Sequence, residues 1–131
     1  MKKIVNIVIA LFLAGALTVQ IVEAQQAGIK RTPLQQVDLS VPGREVVQVR
    51  VEFEPGASFP NHTHPGEEII YVIEGTFDYV IAGKTYTAKA GEVLFVPAGA
   101  VHSAKNTGTT KAAGLATYII EKGKPLLTLA K

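Results

Sequence analysis

Apolar and polar residues alternate most clearly between positions 45 and 54. Val47, Val49, Val51 and Phe53 occupy every second position, and the residues between them are polar or charged. Because successive side chains of a β-strand point to opposite faces, this period of two predicts a strand with one buried and one solvated face.

Shorter runs of the same character recur along the rest of the chain and are separated by turn-forming residues. They predict a strand that carries His62 and His64, and further strands at residues 37–41, 68–73, 76–81, 85–88, 93–96, 101–105 and 112–120. No segment after residue 24 has a convincing period of 3.6 residues. Strands at this spacing are typical of an all-β sandwich or barrel, and a weak echo between the segments that begin at Gly56 and Gly91 fits the two halves of a jelly roll.

The first residues have a different character. Two lysines precede an apolar run at residues 4–17, and residues 22–24 read Val-Glu-Ala. This order is typical of a secretory signal peptide. We therefore predict a signal peptide at residues 1–24, cleavage after Ala24, and a periplasmic or secreted protein without a stable membrane anchor. The alternatives are cleavage after Ala27 and an uncleaved anchor.

Composition removes several classes of function. Without residues 1–24 the chain loses two lysines and one glutamate, so its net charge falls from +2 to +1. The remaining lysines and arginines are scattered, which argues against nucleic acid as a partner and against a polybasic membrane patch. The sequence has no cysteine, and this excludes disulfides, thiolate metal sites and a cysteine nucleophile.

The chain of 131 residues has room for one domain. We predict an N-terminal arm at residues 25–43, a barrel at residues 44–120 and an extended C-terminal tail at residues 121–131. The arm could lie along a neighbouring subunit or pack on its own domain, and the sequence leaves both possibilities open.

The sequence contains three histidines, and His62 and His64 are separated by one residue. On a strand these two side chains share a face, so both imidazoles would point to one position, as a metal site requires. Histidines in extended segments are more often surface residues or satisfied core residues. The pair alone therefore leaves both interpretations open.

Two longer patterns, or motifs, include these histidines and the third one. The first motif has the order Gly, five residues, His-x-His, three or four residues, Glu, six residues and Gly. It is matched by Gly56, His62, His64, Glu68 and Gly75. The second has the order Gly, five residues, Pro-x-Gly, two residues, His, three residues and Asn. It is matched by Gly91, Pro97, Gly99, His102 and Asn106.

Both motifs resemble those of the cupin superfamily, and in particular those of a small single-domain cupin. The resemblance implies an all-β double-stranded β-helix, or jelly-roll barrel, in which His62, His64, Glu68 and His102 bind one divalent transition metal. Every histidine of the sequence then occupies a ligand position. Glu67 does not fit the spacing of the motif, so Glu68 is the predicted ligand. Under the oxidoreductase hypothesis described below, Glu68 is also the predicted catalytic proton acceptor. The ion could be Fe, Mn, Ni, Cu or Zn.

The other residues that could carry chemistry have structural interpretations. Five aromatic residues are predicted to belong to the core: Phe59, Phe77, Tyr79, Phe95 and Tyr118. Asn106 is predicted to form a turn rather than to bind the metal. If Glu68 points inward, Ile70 and Val72 share its face, so the cavity should be largely apolar.

The leading functional hypothesis is an exported metal-dependent oxidoreductase, of the dioxygenase type, that acts on a small aromatic, enol or diketone substrate. The complete ligand set and the apolar cavity support it. The alternative is a module that binds or senses a small ligand at the metal without turnover, and a sugar isomerase is a third hypothesis. The resemblance to small cupins also implies a homodimer that forms through the outer sheet of the barrel.

Overall fold

The computed structural model describes residues 26–131, and the predicted signal peptide with its cleavage after Ala24 lies outside this range. The described residues form ten strands and no helix, so this part of the chain has no helix that could cross a membrane. The strands are β1 (Ile29–Asp38), β2 (Arg44–Phe53), β3 (Ser58–Thr63), β4 (Gly66–Glu74), β5 (Thr76–Ile81), β6 (Lys84–Lys89), β7 (Val93–Val96), β8 (His102–Lys105), β9 (Ala112–Glu121) and β10 (Thr128–Leu129).

The strands form two five-stranded sheets in which all pairs are antiparallel. The first sheet has the order β1-β2-β9-β4-β7, and the second has the order β10-β3-β8-β5-β6. Most neighbours in a sheet are distant along the chain, as the crossing connections of a jelly roll require. The predicted all-β jelly-roll fold is therefore confirmed.

Side chains from both sheets meet in one apolar core. The alternation predicted for β2 is confirmed, because Val49, Val51 and Phe53 are at most 6% exposed. The ring of Phe77, on β5 of the second sheet, contacts Phe53 edge to face with centroids 5.2 Å apart. Each buried side chain of this size contributes roughly 2 kcal/mol to the free energy of unfolding, so the core joins the two sheets firmly.

The prediction that five aromatic residues lie in the core is correct for four of them. The four buried residues are Phe59, Phe77, Tyr79 and Tyr118. For Phe95 the prediction is wrong, since this side chain is 56% exposed. On the short strand β7, Leu94 and Val96 occupy the inward positions, and the alternation of strand side chains then turns Phe95 outward.

The N-terminal arm folds onto its own barrel as β1, which pairs with β2 at the edge of the first sheet. The short strand predicted at residues 37–41 is misplaced, because β1 ends at Asp38. Leu39 and Val41 lie in the hairpin loop that follows. Gly43 completes this loop with a φ of 77°, a left-handed conformation that glycine adopts without a steric cost.

The C-terminal tail returns to the second sheet. Its short strand β10 pairs with β3, so that Thr128 lies opposite Thr63 and Leu129 lies opposite His62. The backbone N–H of Ala130 also donates to the carbonyl of Asn61 at 2.9 Å. The tail thus covers the edge of the strand that carries the first histidine.

Candidate metal centre

Two neighbouring strands of the second sheet bring the three histidines together. His62 lies near the end of β3, and His64 follows directly after that strand. His102 is the first residue of β8, and the register of the two strands places it opposite His62. A residue 40 positions along the chain from His62 therefore becomes its neighbour in space.

Glu68 reaches the histidines from β4 of the facing sheet. Gly66 allows β4 to approach β9 closely, because a Cβ at this position would lie 1.9 Å from the carbonyl oxygen of Ile119. Two residues later Glu68 points inward and is 3% exposed. Glu67 lies between them on the opposite face of the strand and is half-buried.

The four predicted ligands form one buried cluster. Ring nitrogens of His62, His64 and His102 all lie within 4.8 Å of one another. Oε2 of Glu68 lies 3.1 Å from Nε2 of His102 and 3.3 Å from Nε2 of His64. All four side chains belong to residues that are at most 6% exposed. The structure brings together every residue of the predicted set.

A backbone carbonyl holds the outer nitrogen of each imidazole. The Nδ1 atoms pair with Pro60 O at 2.8 Å for His62, with Leu126 O at 2.6 Å for His64 and with Ala100 O at 2.9 Å for His102. A carbonyl oxygen can only accept a hydrogen bond, so each Nδ1 carries the proton. A ring held in this way turns its Nε2 towards the centre of the cluster, which is how proteins orient histidines that bind metals.

Unprotonated nitrogens that face a carboxylate in a buried site need a positive charge between them. Nε2 of His64 is buried and makes no hydrogen bond of good geometry, although Oε2 of Glu68 lies 3.3 Å away. Two lone pairs at this distance repel each other unless a cation or a proton lies between them. A divalent ion would satisfy both atoms, so the cluster fits a metal ion.

The protonation states of the cluster favour metal binding at neutral pH. Burial and the neighbouring His102 lower the pKa of His62 to about 4. Burial alone would raise the pKa of Glu68. In the metal-free protein the close contacts with His102 and His64, which require a proton between Nε2 and the carboxylate, outweigh this effect and lower the pKa to about 2. His62 is therefore neutral and Glu68 is ionised at pH 7, and these are the forms that bind metals.

A cavity of about 30 Å³ adjoins the cluster. Besides His62 and Glu68, its polar lining residues are Arg31, Tyr79 and Tyr118, and the remaining lining residues are apolar. Burial raises the pKa of both tyrosines well above the usual value near 10, so their hydroxyls are neutral and can donate hydrogen bonds.

Two segments outside the motifs contribute residues that the sequence did not predict for the site. Arg31 comes from the arm, and Leu126 and Leu127 come from the tail. The Leu126 carbonyl holds His64, and the Leu127 side chain lines the cavity. No spacing rule connects these residues to the histidines, because only the pairing of β1 with β2 and of β10 with β3 brings them close.

Asn106 binds the backbone and not the metal cluster. It is fully buried, and its Nδ2 donates to Phe53 O at 3.0 Å and to Thr110 O at 2.8 Å. Its Oδ1 accepts from the N–H of Gly108 at 2.9 Å. The side chain therefore fixes the loop between β8 and β9 to the end of β2.

The part of the chain that contains the cluster matches a known protein family and several known proteins. The profile of the cupin domain matches residues 49–118, a segment that contains all four clustered residues. The germin-like protein subfamily 2 member 2 of Arabidopsis thaliana is 38% identical over 87 residues, which cover 60% of this chain and 40% of that protein. The oxalate-binding protein of Thermotoga maritima is 40% identical over 72 residues, which cover 54% of this chain and 60% of that protein. The match thus spans less than two thirds of the length of these relatives.

The solved structures that share this fold include oxalate oxidase. A structure from a study of the mechanism of oxalate oxidase has a TM-score of 0.64 and 25% identity, over 82% of this chain and 57% of that chain. Oxalate oxidase in complex with the substrate analogue glycolate has a TM-score of 0.62 and 26% identity, over the same shares of the two chains. The comparisons and the histidine cluster together indicate a metal-binding protein that takes a divalent ion.

Proposed function

Because the chain belongs to the cupin family, we propose that it is an exported metal-dependent oxidoreductase that acts on a small organic acid. In this proposal His62, His64, Glu68 and His102 hold the divalent ion, which supplies Lewis-acid and one-electron chemistry when bound. The observation that carries the proposal is the convergence of three imidazole Nε2 atoms and one carboxylate beside a cavity.

The size of the cavity changes the substrate class that the sequence suggested. A volume of about 30 Å³ is small, so an acid of a few atoms requires less movement of the walls than a large aromatic substrate does. Several relatives are named for oxalate, and two of the similar solved structures contain glycolate. We therefore replace the aromatic, enol or diketone substrate by a small acid of the oxalate or 2-hydroxy acid type.

Among Fe, Mn, Ni, Cu and Zn, we favour Mn or Fe as the active ion. A carboxylate oxygen suits the harder ions of this series, and Zn lacks redox chemistry. Affinity nevertheless rises towards Cu, so the ion found on purified protein need not be the ion that supports activity. For this reason the activity should be measured after removal of all metal and reloading with one ion at a time.

Glu68 remains the candidate proton acceptor, because it is the only carboxylate among the residues that line the cavity. Its pKa of about 2 in the metal-free protein makes it a weak base. We therefore assign Glu68 first to metal binding and only second to proton transfer. The neutral hydroxyls of Tyr79 and Tyr118 can donate hydrogen bonds to a bound anion.

Oxygen consumption tests the proposed activity directly. Protein loaded separately with Mn, Fe, Ni, Cu or Zn is given oxalate, glycolate, a catechol and a 1,3-diketone, and the variant His102→Ala serves as the metal-deficient control. We expect oxygen uptake with a small acid and Mn or Fe, together with a product detected by mass spectrometry. Uptake that stays at the level of the free metal for every combination would refute the oxidoreductase function.

The alternative function is metal-dependent binding of a small acid without turnover. It is favoured by the cavity lining, in which the titratable groups other than the proposed ligands are an arginine and two neutral tyrosines. In this case oxalate raises the melting temperature of the metal-loaded protein, the effect disappears in His102→Ala, and no product forms. The same samples therefore distinguish an enzyme from a binding module.

A further inference from the structure

We propose that Arg31, on the arm strand β1, binds the carboxylate group of the acid that occupies the cavity beside the metal centre. This inference rests on the proposed function, because it assumes that the cavity takes a small organic acid. It assigns the choice of ligand to a residue outside both cupin motifs and outside the metal cluster.

The register of the edge strand places Arg31 at the cavity. Arg31 lies directly opposite Val51 of β2, and residues opposite each other on paired strands share a face of the sheet. Val51 is an inward residue, 6% exposed, and lines the cavity. Arg31 lines the same cavity, and its Nη2 atom is shielded from solvent.

The rest of the strand points elsewhere. Lys30, the preceding residue, is exposed, and so are all residues of β1 from Pro33 to its end at Asp38. Arg31 is therefore the one charged side chain of this strand that the fold turns towards the metal centre.

Tyr118 lines the same cavity on its inner side. The Tyr118 side chain is within hydrogen-bonding reach of both Arg31 and Glu68. Because the tyrosine is buried and neutral, it can link the guanidinium to the carboxylate of the cluster without adding charge. Only the Tyr118 side chain thus needs to lie between the guanidinium of Arg31 and the proposed metal ligand Glu68.

The chemistry of this arrangement selects a particular class of ligand. Arg31 is the only permanently charged cation among the residues that line the cavity. A guanidinium presents parallel N–H donors that match the two oxygens of a carboxylate, and this pairing is stronger than a neutral hydrogen bond. An acid that reaches the metal with one end and Arg31 with the other satisfies both positive centres. Oxalate fits this description, and a neutral diketone does not.

The test compares two ligands on matched variants of the metal-loaded protein. Dissociation constants of oxalate and of acetylacetone, which has no carboxylate, are measured for the wild type, Arg31→Met and Arg31→Lys. Lys30→Met is the control, because it removes the same charge from the neighbouring exposed position. We expect Arg31→Met to weaken oxalate binding by about 10- to 100-fold and Arg31→Lys by several-fold, since lysine keeps the charge but loses the paired donors. Acetylacetone binding and metal content should not change, and Lys30→Met should behave as the wild type.

The possible failures of the two proposals differ. If Arg31→Met and Arg31→Lys bind oxalate as the wild type does, with normal metal content, the role of Arg31 is refuted and the metal function stands. An equal loss for oxalate and acetylacetone would show that the arginine only supports the fold, and this too would refute the inference. Oxalate binding without turnover removes the oxidoreductase and leaves the Arg31 comparison intact. If the metal-loaded wild type binds no acid, both proposals fail. Should Arg31→Met not fold, Arg31→Lys carries the comparison.

Discussion

Each imidazole of the cluster is oriented by a backbone carbonyl, so the three Nε2 atoms are in position before an ion arrives. The carbonyls belong to a β3 residue, to a residue just before β8 and to the tail, and none depends on a flexible side chain. A metal ion therefore has little ordering cost to overcome at this site, and its affinity should depend mainly on the four ligands.

The two adjacent glutamates provide a matched pair for testing the ligand set. We expect Glu68→Gln to lower metal affinity by roughly 100-fold or more, because loss of a charged ligand should cost at least as much as loss of a residue that only orients one. Glu67→Gln, on the opposite face of β4, should bind metal as the wild type does. Competition titration with a chelating dye measures both. Equal losses in the two variants would contradict the assignment of Glu68.

The lowered pKa of His62 predicts an acid-sensitive metal-free protein. The pKa is about 4 in the folded protein and 6.5 in the unfolded chain, so the unfolded chain takes up the proton first as the pH falls. The contribution of His62 to stability is therefore complete above pH 6.5 and is lost as the pH falls towards 4. A shift of this size corresponds to about 3 kcal/mol.

Urea unfolding of the metal-free protein at a series of pH values measures this dependence. The variant His62→Gln should lose less stability than the wild type over the same interval. Glu68 adds a second loss below pH 4.5, because its pKa is also lowered, to about 2. A free energy of unfolding that is constant from pH 7 to pH 4.5 would contradict the burial of a neutral His62.

At the scale of strands and loops, the sequence predicted the elements that repeat a simple pattern. The alternation of β2 and the spacing of the two motifs were sufficient for the fold class and for the set of clustered residues. Phe95 was assigned to the wrong face, because a short apolar run does not show which of its positions point inward. Arg31 and Leu126 could not be predicted for the site, since no spacing relative to the histidines indicates that β1 and the C-terminal tail lie beside the cavity.

The loop between β8 and β9 depends on one buried side chain. We expect Asn106→Ala to lower the free energy of unfolding by about 3 kcal/mol, because it leaves the Phe53 and Thr110 carbonyls without their donor in a buried site. Asn61→Ala is the control, since the Asn61 side chain is exposed. Chemical denaturation measures both. A loss below about 1 kcal/mol for Asn106→Ala would show that water replaces the amide.

At the scale of the whole molecule, the outer face of the first sheet carries several exposed apolar side chains. Five exposed residues contribute to it: Ile69, Tyr71 and Ile73 on β4, and Val93 and Phe95 on β7. The register places Ile69 opposite Phe95 and Tyr71 opposite Val93, so their side chains form one continuous patch. Contiguous apolar surface of this kind marks contact sites in proteins, which agrees with the homodimer expected from the sequence.

We therefore propose that the homodimer forms through this face of β4 and β7. Phe95→Glu should convert the dimer to a monomer, because each subunit would bury a charge against the apolar patch of its partner. Tyr86→Glu is the control, since Tyr86 is 39% exposed on β6 of the other sheet. Light scattering coupled to size-exclusion chromatography measures the mass of each variant. A monomeric wild type would refute the dimer. A dimeric Phe95→Glu variant would show that the interface lies on another surface. Because Phe95 points away from the cavity, metal content should stay unchanged in the monomer, and this separates assembly from the integrity of the site.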